Sequence, residues 1–271
     1  MRKIRNLAVF SLIIGLFLMN SCGKFNRIQK SDDWKEIYAQ AIRYYEQEEY
    51  YKSSVLLDLI LPIIKGTAEA EKANFMYAYT YFHQKQYILS ANYFRSFAIL
   101  YSRSEDAMEA NYMHAYSLFM QAPDYNLDQT STYEAIAAFE TFINRYPTDE
   151  YAQKGTVILD EMQRKLEKKA YENAKQYHKL RRYKSAIISF GNFEKDFPDS
   201  KMNEEILYLS VETEFDYAKA SIPSKQKERF GKTIEFYEKF IDKYPTSEFL
   251  KEAELLYGNS IEELEKLGKN K

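Results

Sequence analysis

One side-chain frame recurs along this chain, and it leaves few folds open. Phe94, Phe97, Tyr101 and Ser102 stand in the same relation as Phe139, Phe142, Tyr146 and Pro147. Phe190, Phe193, Phe197 and Pro198 repeat it, and Tyr237, Phe240, Tyr244 and Pro245 repeat it again. An aliphatic copy fits at Leu57, Ile60, Ile64 and Lys65. Twelve positions before each terminal residue of the frame comes a small one: Ser53, Ser90, Ala135, Ala186 and Thr233. Three positions earlier stand Tyr50, Tyr87, Thr132, Tyr183 and Phe230. Steps of three and four lie on one face of a helix. The small residue lets a partner helix approach closely, and the proline ends the helix that precedes it.

This pattern resembles the second half of the tetratricopeptide repeat. A first helix repeats too, at Ala41, Ala78, Ala115 and Ala174, with Tyr44, Tyr81, Leu118 and Tyr177 three residues later. The expected fold is therefore all-α: a tetratricopeptide-repeat superhelix of about five helix pairs with a C-terminal capping helix. Its repeats run approximately over 34–66, 67–103, 104–147, 148–198 and 199–246, with a cap over 247–268, all within one domain at 34–271. Unequal spacing locates insertions around Pro123–Asp128 and near Pro223. Ser131 with Glu134 reads as a capping box opening the helix after the first insertion. The stretch 148–179 has no proline and only Gly155, and reads as one long helix. Gly (8) and Pro (6) are too scarce in 271 residues for a turn-rich β fold.

The N-terminus reads as an address. Arg2, Lys3 and Arg5 precede an apolar run from Leu7 to Met19, too short to span a bilayer core of about 30 Å. Met19-Asn20-Ser21-Cys22-Gly23 follows, resembling a bacterial lipoprotein box in which Cys22 is lipidated and becomes the first mature residue. Residues 1–21 are then the lipoprotein signal peptide and 22–33 a lipidated, polar and basic tether. Losing Arg2, Lys3 and Arg5 moves the formal net charge from −2 to −5. Bacteroidetes-like lipoproteins destined for the cell surface are associated with an acidic run just after the cysteine. No acid precedes Asp32 here, which favours the periplasmic face of the outer membrane.

The balance of 38 basic and 40 acidic residues gives no basis for nucleic-acid binding. A single cysteine excludes an internal disulfide framework and a Cys-rich zinc site. His83, His114 and His178 show no metal-ligand spacing, and no nucleophile elbow or phosphate loop is present. The chain is expected to be no enzyme and to need no metal and no cofactor. Its aromatics are more informative, with 25 Tyr and 18 Phe against one Trp. In a tetratricopeptide stack the first helix of each pair lines the concave groove. That frame puts Tyr38, Phe75, Tyr112 and Tyr171 at one groove register. Tyr79 and Tyr116 share the next with Ile42 and Lys175, and Tyr45, Phe82 and Phe119 share the third with His178. The first three repeats thus offer a candidate peptide-binding groove at Tyr38, Tyr45, Phe75, Tyr79, Phe82, Tyr112, Tyr116 and Phe119. The same rings also suit a core role between helices.

The lipoprotein start, the five repeats and the centre from Tyr146-Pro147-Thr148-Asp149-Glu150-Tyr151 through the long helix to Lys195-Asp196-Phe197-Pro198-Asp199-Ser200 together resemble the BamD family. These are tetratricopeptide lipoproteins of the outer-membrane β-barrel assembly machinery. The resemblance implies a scaffold that binds the periplasmic domains of a BamA-like barrel protein through its C-terminal repeats. It also implies that the N-terminal repeats receive unfolded outer-membrane proteins, whose targeting signal ends in an aromatic residue. Two other readings use similar parts: a general periplasmic lipid-anchored scaffold and a SusD-like glycan-binding lipoprotein. The short insertions and the single Trp argue against the glycan reading.

Overall fold

The computed structural model describes residues 24–269. Among them there is no strand. A short helical segment over 24–29 precedes eleven helices. These are α1 (Trp34–Glu46), α2 (Tyr50–Ile60), α3 (Glu69–His83), α4 (Tyr87–Leu100), α5 (Ala107–Gln121), α6 (Thr130–Arg145), α7 (Glu150–Lys179), α8 (Tyr183–Asp196), α9 (Asn203–Lys219), α10 (Pro223–Lys243) and α11 (Leu250–Lys269). They form five helix pairs and a final helix. The chain divides into two compact units. The first holds the described residues up to Pro123 together with Asp128–Asp160; the second holds Asp124–Leu127 and the described residues from Glu161 onward.

The recurring small residues sit where the two helices of a pair meet. Ser53, Ser90, Ala135, Ala186 and Thr233 are all fully buried, as are Ala41, Ala78, Ala115 and Ala174. In the first pair the Ser53 hydroxyl donates to the carbonyl of Ala41 at 2.9 Å, and in the second Ser90 donates to Ala78 at 3.2 Å. A hydroxyl can reach the opposite backbone only because neither position carries a bulky side chain. The bond also satisfies a polar atom that would otherwise be costly to bury.

The aromatic frame fills the remaining space. Phe94, Phe97, Phe139, Phe142, Phe190, Phe193 and Phe240 are all buried. The residue that closes each frame also closes its helix. Tyr101, Tyr146, Phe197 and Tyr244 have φ of −112°, −130°, −131° and −132°, yet each N–H still reaches the carbonyl four residues back. Proline follows three of the four, and the residue before a proline is pushed out of the helical region. The terminal ring then folds back onto the frame, at 5.0 Å for Phe97–Tyr101 and 5.2 Å for both Phe142–Tyr146 and Phe193–Phe197.

The turns inside the pairs share a second device. Glu48, Lys85 and Arg181 adopt φ of 60°, 59° and 53°. In each case the next residue's N–H donates to the tyrosine carbonyl five residues back: Glu49 to Tyr44, Gln86 to Tyr81 and Arg182 to Tyr177, each at 2.9 Å. This is a Schellman closure built without glycine. The recurring Tyr44, Tyr81 and Tyr177 therefore mark helix ends as well as a face. In the third pair Leu118 replaces the tyrosine, α5 continues to Gln121, and the insertion follows.

The long helix α7 begins at Glu150, and its Gly155 lies against α6. A Cβ added there would sit 3.0 Å from the Phe139 ring. Two local expectations are corrected. The helix after the insertion starts at Thr130, whose N–H is accepted by Asp128 at 2.9 Å, so Ser131 and Glu134 lie inside it and form no capping box. The segment expected to be a polar tether folds. Residues 24–29 are helical, Ile28 is only 2% exposed, and Phe25 packs against the same core cluster. The hydrophobic pair Phe25 and Ile28 outweighs the cations between which it stands. The signal peptide over 1–21 and Cys22 lie outside the described residues.

Replacing Ala78 by Trp should overpack the α3–α4 contact by about 1–3 kcal/mol or more, and limited proteolysis should then cut the first unit faster. Lys85→Gly should act oppositely, since a left-handed residue with a Cβ costs about 1–2 kcal/mol and glycine returns about 0.5–1 kcal/mol of that through chain entropy. A small rise in the urea midpoint of the first unit is the expected readout.

Candidate functional site

The eight aromatics of the proposed groove all fall in the first unit. Tyr112 is buried at 8% exposure and the other seven are half-buried. None is freely exposed, and the structure shows why they suited two readings. Their inner edges rest on core rings: Phe75 lies 5.0 Å from Phe97, Tyr79 lies 4.8 Å from Phe94, and Tyr112 lies 5.7 Å from Phe142. Their other contacts run sideways. Phe82 reaches Tyr116 at 5.8 Å and so joins α3 to α5, while Tyr116 stacks on Tyr112 at 5.7 Å and meets Phe119 at 5.9 Å. Among the described residues Tyr38 makes no ring contact of this kind, and it packs against the first core cluster.

Four residues outside the expected set complete the seam. His83 links three of its members, with ring centroids 6.1 Å from Tyr45, and 5.9 Å from both Tyr79 and Phe82. Tyr50 stacks on His83 at 4.2 Å and 12°. Tyr151, at the start of α7, lies 4.6 Å from Tyr112. The Tyr79 hydroxyl donates to the carboxylate of Glu109. His83 was visible in the sequence only as an isolated histidine. Its partners Tyr45 and Tyr50 become neighbours through packing of α1 and α2 against α3, which no local spacing encodes.

Glu109 is the one carboxylate on which several of these tyrosines converge electrostatically. Tyr45 is pushed up to about 12, by burial first and then by Tyr50 and Glu109. Tyr79 is raised further, by burial and then by its hydrogen bond to Glu109. Tyr151 is raised by burial and by the same charge. Burial lowers His83, with Glu48 opposing it, so the imidazole is neutral at pH 7. The seam is thus a run of neutral rings with one acid at its centre, able to contact apolar and aromatic side chains and to accept a hydrogen bond.

The equivalent positions in the second unit are spent on one another. Lys175 donates to Glu205 at 2.6 Å and to the Tyr171 hydroxyl at 2.7 Å, and Tyr171 donates to Glu205. Burial resists the charge on Glu205, but these hydrogen bonds outweigh it and hold the carboxyl below its ordinary value. His178 pairs through Nδ1 with Thr213 at 2.8 Å and approaches Glu212 at 3.5 Å. This is a closed polar lock between α7 and α9, not a second copy of the seam.

Another concavity of the first unit, about 630 Å³, opens between α4, α5 and α6 and is lined by Arg95, His114 and Arg145 among others. None of the eight groove aromatics lines it. Among the described residues no group of three or more His, Cys, Asp or Glu could hold a metal ion. No described helix is long and apolar enough to cross a membrane.

Successive helix pairs built on this frame define a tetratricopeptide-type helical-repeat protein. The chain belongs to the outer membrane lipoprotein family YfiO, the BamD-like family, whose model matches residues 30–214. It is accordingly a lipid-anchored outer membrane protein with a general role in β-barrel assembly. No curated protein matches it.

The raised tyrosines give a pH prediction. A tyrosine whose folded value exceeds its unfolded value near 10 favours the protonated fold, so its stabilisation is complete below that value. It is lost as pH rises through about 12 for Tyr45. Absorbance of tyrosinate should lag behind that of a model peptide in this window, and Tyr45→Phe should remove part of the lag.

Proposed function

We propose that this chain is a non-catalytic scaffold of the outer-membrane β-barrel assembly complex. It is anchored through Cys22 on the periplasmic side and receives unfolded outer-membrane proteins on the seam of its first unit. The observation that carries this reading is the run from Tyr45 and the exposed His83 through the half-buried Tyr79 and Phe82 to Tyr116 and Phe119. It is too open to be purely core and too apolar to be idle surface. Tyrosine gives large contact area with a hydrogen-bonding tip, which suits an extended segment carrying aromatic residues. The second unit, with its own polar lock, is left to engage the periplasmic domains of a BamA-like barrel component. The absence of acids between Cys22 and Asp32 supports the periplasmic side.

The seam is best tested where it is least tied to the core. Phe75 and Tyr79 rest on Phe94 and Phe97, so changing them also loosens packing. Phe82→Ser with Tyr116→Ser removes the bridge between α3 and α5 instead. Fluorescence anisotropy with a peptide from the C-terminal strand of an outer-membrane barrel, ending in an aromatic residue, should show Kd at least tenfold weaker. Unchanged affinity in a variant with wild-type helicity would rule the seam out as the receiving surface. Mild-detergent purification of the tagged lipoprotein should yield a large barrel protein with soluble periplasmic domains; a glycan transporter in its place would defeat the assembly reading.

A further inference from the structure

Residues 24–33 join the lipidation site to the folded body, and they are built into that body. Ile28 is 2% exposed and belongs to the core cluster that contains Ile37, Ala41 and Leu57. The Phe25 ring meets Tyr44 edge-on at 5.7 Å. The connection to α1 is stitched as well. The Lys30 N–H donates to Arg27 at 3.2 Å and the Ser31 N–H to Ile28 at 3.0 Å. The Ser31 hydroxyl donates to Glu36 at 2.7 Å, and Asp33 accepts the Lys35 N–H at 2.9 Å as the cap of α1. A free tether would show none of these bonds.

We propose that this segment is a strut that holds the first helix pair against the surface of the lipid bilayer, with the bilayer as its docking partner. The proposal rests on the reading of Cys22 as the lipidated residue. Only three residue steps separate Cys22 from Phe25. A fully extended chain spans at most about 3.3–3.6 Å per residue, so Phe25 lies within about 11 Å of the lipid attachment. Phe25 touches Tyr44, and the Lys52 ammonium sits 5.3 Å from the Tyr44 ring. The end of α1 and the start of α2 are therefore carried to the membrane with it. Lys24, Arg27 and Lys30 are exposed on the strut. None forms an ion pair among the described residues. Cations within a Debye length of about 8–10 Å of a bilayer are drawn to anionic head groups. The short leash thus presents the first unit, which carries the aromatic seam, at the membrane surface and not at variable distance below it.

The test uses the mature lipidated chain in vesicles of phosphatidylcholine and phosphatidylglycerol at 3:1. Cys22 is the only cysteine and the lipid occupies its thiol, so Lys52→Cys takes a single donor dye, read by energy transfer to acceptor-labelled head groups. Transfer should be strong. It should fall at least twofold when a flexible spacer of twelve Gly and Ser residues, adding roughly 20 Å of reach, is inserted between Gly23 and Lys24, a change that leaves the folded body intact. Lys24→Glu with Arg27→Glu and Lys30→Glu in the spacer chain should lower transfer further. A chain that floats with vesicles but shows the same transfer with and without the spacer overturns the strut alone. A chain that fails to float overturns the Cys22 anchor and the strut with it.

Discussion

The rest of this structure depends on how closely the two helices of a pair can approach. That distance is set by side chains of one or two heavy atoms at positions such as Ala41 and Ser53, or Ala78 and Ser90. Where the small residue is serine, its hydroxyl reaches across to the opposite carbonyl and locks the register. Close approach then leaves a fixed volume between turns of successive helices, and the recurring Phe pairs fill it. With the interior committed in this way, Tyr79 and Phe82 on α3 and Tyr116 and Phe119 on α5 cannot sink further and stay half-buried. The open seam is a geometric consequence of the tight pairs beneath it.

The two units spend equivalent positions differently. In the first, Phe82, Tyr116 and Phe119 associate through ring faces and edges and leave a mainly apolar surface. In the second, Tyr171, Lys175 and Glu205 satisfy one another within 2.7 Å or less. A self-paired network has little to offer a ligand, because binding would break good hydrogen bonds before making new ones. A ring seam has no such prior commitment, and dispersion and desolvation reward any apolar partner that covers it. The same scaffold thereby separates a receiving surface from a structural lock by changing a few side chains.

The strut shows the opposite balance. By composition Lys24–Ser31 is polar and basic, yet two apolar residues suffice to fold it onto the first pair. Phe25 and Ile28 are three apart, one helical turn, and the core beneath them is already formed by α1 and α2. Short helices are marginal in isolation; this one exists because a surface is waiting for it.

Sequence alone determined the repeat frame, its small and aromatic positions, the helix ends at Tyr146, Phe197 and Tyr244, and the long helix. Each is local: periodicity, residue size and proline act within a few turns of one helix. Family membership rests on the same linear pattern. Only tertiary structure decided which groove positions join into a seam, because Phe82 meets Tyr116 and His83 meets Tyr45 and Tyr50 across helices. It also brought Tyr79 onto Glu109, 30 residues away, and turned the presumed tether into part of the core. Those outcomes depend on which faces the pairs bring together, and residues far apart in the chain carry no signature of that meeting until the backbone is folded.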